Sequence, residues 1–521
     1  MSADVLEQAE VAKTDISFGS WKLILQAVAS SQLVLWLGLT CLFAALPLFY
    51  VKHARLADPD IWWHMRAGEW IVQNHQIPRV DVFSASTLGR PWADYSWLFD
   101  VGAYWGIAHF DLVSIIWFEM LMRLAVTAAV FSLVRSLTPR FWEAVALSGV
   151  ATLAMAWVVP PRPGAFSVLF FVLVLHVLVS AKRKGNPRLL WIIPGLFVLW
   201  ANIHIEFVTG LFLLGILCLE PFVNRLAGIA CEPVIQAERQ GWPIFIASLM
   251  AVLANPYGPG LLKTIFQYAR DASIYDLITE FHAMHFRTIN DWAVLLLLML
   301  ACFALGRVRP FRPIWGLLLV WSAWMGFRSL REVWLLSILS VAIIAGSHAG
   351  EYQIAEKRLA IRTSMRLAVA TAVAVILLAG GAIWSVSSQR LLRQAADVFP
   401  VGAVSYIHRN HLQGPLLNEL SWGGFLIYAV PEIPPAMDGR TNVHTQDEIL
   451  SALPLWNGEA DWQNRPELQQ ANLIISDHSW RLASLLRGDP RFRVVYEDST
   501  SVLFEAVHPK KQESQPTSER P

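Results

Sequence analysis

The chain has 521 residues, of which 55% are hydrophobic and only 16% charged, with a mean hydropathy of +0.45. Soluble domains carry roughly a quarter charged residues, so the composition excludes an ordinary soluble globule and predicts a polytopic membrane protein embedded in a lipid bilayer. A formal net charge of +1 supplies no field that would gather nucleic acid, and the charges matter by position.

About 20 apolar residues span a bilayer, and apolar segments near 30–51, 111–134, 141–159, 164–181, 189–203, 206–220, 242–254, 291–306, 313–327, 333–348 and 367–388 predict about eleven transmembrane helices. The first follows a polar segment, 1–29, and lacks a small-residue cleavage site, so it reads as an uncleaved signal anchor with a cytoplasmic N-terminus. Basic clusters mark cytoplasmic loops, and Lys182, Arg183, Lys184 and Arg188, then Arg307, Arg309 and Arg312, then Lys357, Arg358, Arg362 and Arg366 fall on the side of the N-terminus. An odd number of spans then puts the loop 52–110, the turns 160–163, 201–206, 255–291 and 328–332, and everything after 388 on the extracytoplasmic face of a bacterial inner membrane. That parity counts 189–203 and 206–220 as two spans, and a re-entrant hairpin there would change it. Cys41, Cys218, Cys231 and Cys302 fall in apolar or cytoplasmic positions and imply neither a disulfide framework nor a metal-type spacing.

The first extracytoplasmic loop, 52–110, concentrates carboxylates, a histidine, arginines and tryptophans. Asp58 reads as an N-cap and Pro59 as the first helical position of an amphipathic helix running to about 74. Ile61, Met65, Gly68 and Val72 share one face of it, and Trp62, Trp63 and Trp70 on the flanks read as interface anchors of a helix lying at headgroup level. One cap accounts for one carboxylate. Asp58 and Asp60, beside His64 and Arg66, are therefore candidates for a general base toward a hydroxyl, and such a pair can also ligate a divalent cation such as Mg or Mn.

The other loops of that face add Arg162 between Pro161 and Pro163, Asn202, His204 with Glu206, Asn255 and Tyr257 in Asn255-Pro256-Tyr257-Gly258, Glu280 with His282, and Arg328 and Arg331. An arginine at a span end can merely snorkel to headgroups, but Arg162, Arg328 and Arg331 together can hold a lipid-linked phosphate by bidentate contacts. His204 and Glu206 interrupt an apolar stretch, where polar groups are expensive, and are either functional or the cap of a re-entrant turn. Glu119 and Arg123, four residues apart, are expected to pair with each other.

Beyond 388 the composition turns soluble and predicts an α/β domain over 389–508. Its elements are a helix at 401–410, a strand at 415–417, helix or strand at 424–429, a strand at 435–437, a helix near 448–453, a strand at 472–476, a helix at 479–487, and strands at 492–496 and 501–505. Asp438-Gly439-Arg440 reads as a strand-end turn held by an Asp–Arg pair, with a binding site as the alternative. The polar tail 509–521 is expected to be disordered.

In the order of these features the chain resembles the GT-C superfamily of membrane glycosyltransferases that use polyprenyl-phosphate sugars, which includes the protein O-mannosyltransferases and the lipid A aminoarabinose transferases. It resembles more closely a group of bacterial multi-pass membrane proteins of that superfamily. The shared motifs are the run 58–70, Gly89-Arg90-Pro91-Trp92 with Trp97 beyond it, Arg162-Pro163, Trp200-Ala201-Asn202-Ile203-His204, Asn255-Pro256-Tyr257-Gly258, Trp422-Gly423-Gly424 and Asp438-Gly439-Arg440.

The resemblance implies a GT-C-like helical fold, a polyprenyl-phosphate sugar donor, a cell-envelope acceptor (glycan, lipid or protein) and Asp58 as the base, assisted by Asp60. The arginines would hold the leaving phosphate and the C-terminal α/β domain would recognise the acceptor. Two positions depart from the pattern: Ser96 stands where an acidic residue precedes Trp97, and Ile205-Glu206 follow His204 where small residues are usual. A transporter or flippase is the rival reading and would spread ionisable groups through the bilayer depth. A catalytically inactive GT-C-like scaffold presenting the C-terminal domain is the third.

Overall fold

A segment crossing a bilayer must satisfy its own backbone hydrogen bonds, and uncharged runs of Leu, Val, Phe and Ala do so as helices. The computed structural model describes residues 28, 31–52, 55–156, 160–229, 240–270, 279–347, 365–384 and 386–507. Most of the segment 1–29, Cys231, Lys357, Arg358, Arg362 and the tail 509–521 lie outside the described residues.

Every apolar segment picked out by hydropathy contains a helix, from Gln32–Lys52 through Val113–Leu137, Gly164–Lys184 and Ile289–Arg307 to Met365–Trp384. Among the described residues, five helices are long and apolar enough to cross a membrane by length and composition. Eleven spans are not established. The helices Ile192–Ala201 and Trp242–Ala251 have 10 residues each, about 15 Å at 1.5 Å per residue, or half of a hydrocarbon core about 30 Å thick. The chain is a multi-pass helical membrane protein. Glu119 and Arg123 pair at 2.6 Å as expected.

The first loop holds two helices, Asp60–Asn74 and Trp97–Phe110, packed on each other. Their contact needs Gly68, because a Cβ there would stand 1.9 Å from the Asp100 carbonyl oxygen. Of the tryptophans expected to anchor the first of these helices at an interface, Trp62 instead points into the protein. Trp62 is 0% exposed and meets Phe399 and Phe425 edge to face, with ring centroids 5.7 and 5.1 Å away. The helix Gly423–Ala429 of the C-terminal region covers that face, and Gly424 permits the approach, since a Cβ there would meet the Pro59 carbonyl oxygen at 2.3 Å. Val72, placed by sequence on one face with Ile61, Met65 and Gly68, is exposed while those three are buried. Helical periodicity reports one apolar face but not what covers it.

The C-terminal region forms a four-stranded sheet of order β1-β2-β4-β3, from Leu416–Asn418, Leu473–Asp477, Phe492–Glu497 and Ser501–Ala506. β1 runs parallel to β2, and β4 is antiparallel to both β2 and β3. The stretch 424–429 is helix rather than strand. The strand expected at 435–437 reduces to a single bridge between Leu416 and Pro435, because Pro434 and Pro435 have no N–H to give a ladder.

This region is built onto the first loop. Arg440 is 2% exposed, pairs with Asp438 and Asp81 at 2.8 Å each, and lies over the rings of Phe83 and Trp92. Burial works against the charge on Asp438, but Arg440 and His444 outweigh it and hold the carboxyl well below its usual range. Asp438-Gly439-Arg440 is thus the Asp–Arg turn that the sequence favours, extended by partners from the first loop.

Candidate active site

A cavity of about 700 Å³ opens where the first loop, the turns at 160–163, 204–206 and 279–291, and residues 439–442 of the C-terminal region meet. Asp60, His64, Arg162, His204 and Arg331 of the sequence candidates line it.

Asp58 stands behind this wall with both oxygens engaged. Oδ1 accepts from the backbone N–H groups of Asp60 at 2.8 Å and Ile61 at 3.3 Å, which is a capping role, although the helix itself begins at Asp60. Oδ2 accepts from Nε of Arg162 at 2.5 Å. Nη1 of Arg162 pairs with Asp60 Oδ2 at 3.1 Å and with Glu280 Oε2 at 3.0 Å, so one guanidinium joins three carboxylates. The turn around Arg162, with its backbone N–H on the Pro160 carbonyl at 2.7 Å, aims the side chain there.

The cluster carries more negative than positive charge. Burial, with Asp58 and Glu280 adding and Arg162 opposing, pushes the Asp60 carboxyl up to about 6. Asp60 Oδ1 accepts from Trp63 Nε1 at 3.3 Å, which leaves this carboxylate capacity for a ligand in the cavity it faces.

Another part of the wall is built on His204. Its Nδ1 lies 2.8 Å from Ser167 Oγ, and Nη2 of Arg331 donates to Nε2 at 3.2 Å. Arg331 Nε donates to Glu206 Oε1 at 3.2 Å. Burial, then the Glu206 charge, pushes Glu332 up to about 8 against the pull of Arg331.

The remaining candidates hold the walls or lie elsewhere. Asn202 ties elements together, accepting from Trp97 Nε1 and donating to the Val198 and Ala254 carbonyls. Asn255 caps its own turn, donating to the Val252 carbonyl and accepting from Tyr257 N. The Tyr257 hydroxyl bridges Asp94 N and the Pro78 carbonyl at 2.8 Å each. Arg66 pairs with Glu69 at 2.6 Å, and Arg328 lies over Trp324; neither lines the cavity.

Sequence reasoning did not place Arg287, Asp94, Asp100 or Asn442 in this region. Arg287 and Asn442 line the cavity, and Asp100 contacts His64 Nδ1 at 2.6 Å. The Ser96 departure pointed to this stretch: acidic groups stand at 94 and 100 instead, and Ser96 Oγ donates to Asp94 Oδ1.

The donor set does not suit a divalent cation as it stands. Asp58 Oδ2 and Asp60 Oδ2 both rest on Arg162, and no group of three or more His, Cys, Asp or Glu side chains arranged for a metal occurs among the described residues.

No family model matches the sequence, and no curated protein does. Solved structures do match. The oligosaccharyltransferase AglB of Archaeoglobus fulgidus, in complex with an inhibitory peptide and a dolichol-phosphate, is 11% identical over 86% of this chain and 69% of its own, with a TM-score of 0.55. ArnT from Cupriavidus metallidurans, bound to undecaprenyl phosphate, is 14% identical over 95% of this chain and 99% of its own, with a TM-score of 0.50. The arabinofuranosyltransferase AftD from Mycobacteria is 10% identical over 91% of this chain and 40% of its own, with a TM-score of 0.51. At such identities the likeness is one of architecture, and the chain has the fold of the GT-C membrane glycosyltransferases.

Proposed function

We propose that the chain is an inverting glycosyltransferase of the bacterial inner membrane that moves a sugar from a polyprenyl-phosphate donor to an extracytoplasmic acceptor, a glycan, lipid or protein. The observation that carries this reading is a cavity in a GT-C fold that holds a carboxylate poised near pH 6, Asp60, together with the cations Arg287 and Arg331. Support for the donor comes from ArnT and AglB, whose structures hold undecaprenyl phosphate and dolichol-phosphate. The basic helix ends at Lys182, Arg183 and Lys184 and at Arg307, together with Arg309 and Arg312, support a cytoplasmic N-terminus and a cavity on the other face.

Asp60 is the group available to receive the acceptor proton. The hydroxyl oxygen attacks the anomeric carbon as the bond from that carbon to the phosphate oxygen breaks, the proton passes to Asp60, and the phosphate leaves with the bonding pair. One displacement inverts the anomeric centre. A carboxyl near pH 6 is matched to this task at neutral pH, and Arg287 and Arg331 stabilise charge growing on the phosphate. Asp58 acts as a positioning residue, holding the helix start and Arg162. The C-terminal unit, 389–508, would meet the acceptor through residues 439–442, which line the cavity. The transporter reading is less well supported, because the titratable clusters gather around this one cavity.

The test is binding. Polyprenyl phosphate at 100 times its Kd should stabilise the purified protein by about 2.7 kcal/mol, and Arg331→Met should lose most of that. Equal unfolding temperatures with and without the lipid would refute the reading.

A further inference from the structure

His64 stands one helical turn beyond Asp60, and its ring lines the same cavity. The ring is 4% exposed, stacked on Trp63 with centroids 3.6 Å apart and met edge-on by Phe99. Its Nδ1 lies 2.6 Å from Asp100 Oδ1. Its Nε2 has no hydrogen-bond partner among the described residues, and the ring to which it belongs lines the cavity.

Behind the histidine is a second carboxyl. Asp94 and Asp100 are 1% and 0% exposed, and their carboxyls interact in the interior. The Oδ2 atom of each is buried with no hydrogen-bond donor beside it. Two such carboxyls do not both ionise, so one keeps a proton that it can share with the other. Burial pushes Asp94 up to about 6, and burial followed by the Asp94 charge pushes Asp100 well above its usual range, so the proton belongs to Asp100 and is donated to Asp94. Asp100 Oδ1 then remains an acceptor for Nδ1–H of His64. Burial, with the charge of Arg162 on the same wall, holds the imidazole well below its usual range and therefore neutral.

We infer that the Asp94–Asp100 pair is a positioning device that fixes His64 in the Nδ1–H tautomer, so that its bare Nε2 accepts a hydrogen bond from a hydroxyl of the bound sugar. The inference rests on the glycosyl-transfer reading for the ligand and adds the direction in which that ligand lies. A phosphate ester carries no proton to give Nε2 and is turned away from it, toward Arg287 and Arg331, while a sugar hydroxyl is drawn to the side that carries Asp60. The charged and titratable groups facing His64 are Asp100 from the Trp97–Phe110 helix, Arg162 from the proline turn, and His204.

The test reads the tautomer directly, by nitrogen-15 NMR of histidine-labelled full-length protein in nanodiscs, with His64→Gln assigning the signal. The expected result is a neutral ring, protonated on Nδ1, down to pH 5. Asp100→Asn keeps that tautomer, since its amide can present oxygen to His64 and N–H to Asp94. Asp94→Asn removes the neighbouring charge that helps keep Asp100 protonated, so Asp100 ionises more readily and the His64 pKa rises.

In transfer assays Asp94→Asn should raise KM for the donor by up to about 10-fold, the size expected for one lost hydrogen bond, at pH values below the raised His64 pKa, with recovery above it. Recovery follows because His64 loses the added proton as pH rises. A proton on Nε2 in the unaltered protein, or identical NMR titrations for Asp94→Asn and Asp100→Asn, would overturn the inference. Absence of transfer from every polyprenyl-phosphate sugar would instead sink the glycosyl-transfer reading and the hydroxyl ligand with it, and the NMR titration would still decide the tautomer.

Discussion

Asp60→Asn should make the protein more stable and less active. The folded chain holds the Asp60 carboxyl at about 6 against an ordinary 3.8, so between those values the native state binds more protons than the unfolded state. Stability contributed by this group therefore falls as pH rises from 4 to 6 and stays lost above. At 1.36 kcal/mol per pH unit, the rise corresponds to about 3 kcal/mol at pH 7 to 8. An asparagine keeps the shape and removes the charge, and should recover much of that. Thermal unfolding in detergent should show little difference between the variant and the parent at pH 4 and a gain that grows to a plateau above pH 6. Asp58→Asn is the contrast: the amide still caps the helix, but it loses the charged bond to Arg162, a loss of about 1.5–3 kcal/mol at neutral pH. A carboxylate kept at a cost in stability is what a working site requires. If Asp60→Asn destabilised the protein at pH 8, or changed its stability equally at every pH, Asp60 would be an ordinary structural ion pair and the reasoning would fail.

Transfer should show an acid limb, with kcat/KM falling below about pH 6 as Asp60 takes up a proton and rising to a plateau above it, measured over pH 4.5 to 8. Arg331→Met should raise KM for the polyprenyl-phosphate donor by about 10- to 100-fold, the range for a charged hydrogen bond, in steady-state assays. Arg328→Met, at a residue over Trp324 and off the cavity wall, should change the same KM by less than about threefold. Arg440→Met leaves Asp438 and Asp81 buried without their cation and should cost about 3–5 kcal/mol. Its readout is lower membrane abundance and rapid proteolysis in the segment joining the C-terminal region to the transmembrane part.

Much of the fold was legible because its signals are local. A helix stands in each hydropathy-selected segment, and of the elements expected in the C-terminal region the strand at 435–437 is missing, while the helices Ser388–Ala395 and Pro466–Gln470 were not expected. Long-range contacts were not legible. The cover over Trp62 comes from Phe399 and Phe425, and Ser84 and Asp438, in contact within the buried Arg440 cluster, lie 354 residues apart. A wheel drawn for one helix therefore assigned Trp62 to a membrane interface.

The same limit shaped the site. Acidic loop residues and a proline-flanked arginine drew notice individually, yet the partners of Arg162 lie 104 and 118 residues away. Asp58, the more prominent carboxylate by motif, spends its oxygens on a cap and on Arg162, and Asp60 alone of the two faces the cavity. Asp94 and Asp100 resemble any loop or helix-start carboxylates in sequence, and only the packing of two helices through Gly68 brings Asp100 to His64.

The measurement that tests the central claim most directly is sugar transfer by the purified protein in liposomes supplied with a panel of labelled polyprenyl-phosphate sugars and cell-envelope acceptors, with Asp60→Asn run alongside. The account expects label to move from the polyprenyl-phosphate fraction to an acceptor with inverted anomeric configuration, and to stay with the lipid in Asp60→Asn even though that variant is folded and abundant. Equal transfer by both proteins would remove Asp60 from the chemistry, and no transfer by the unaltered protein across the whole panel would contradict the assignment as a glycosyltransferase.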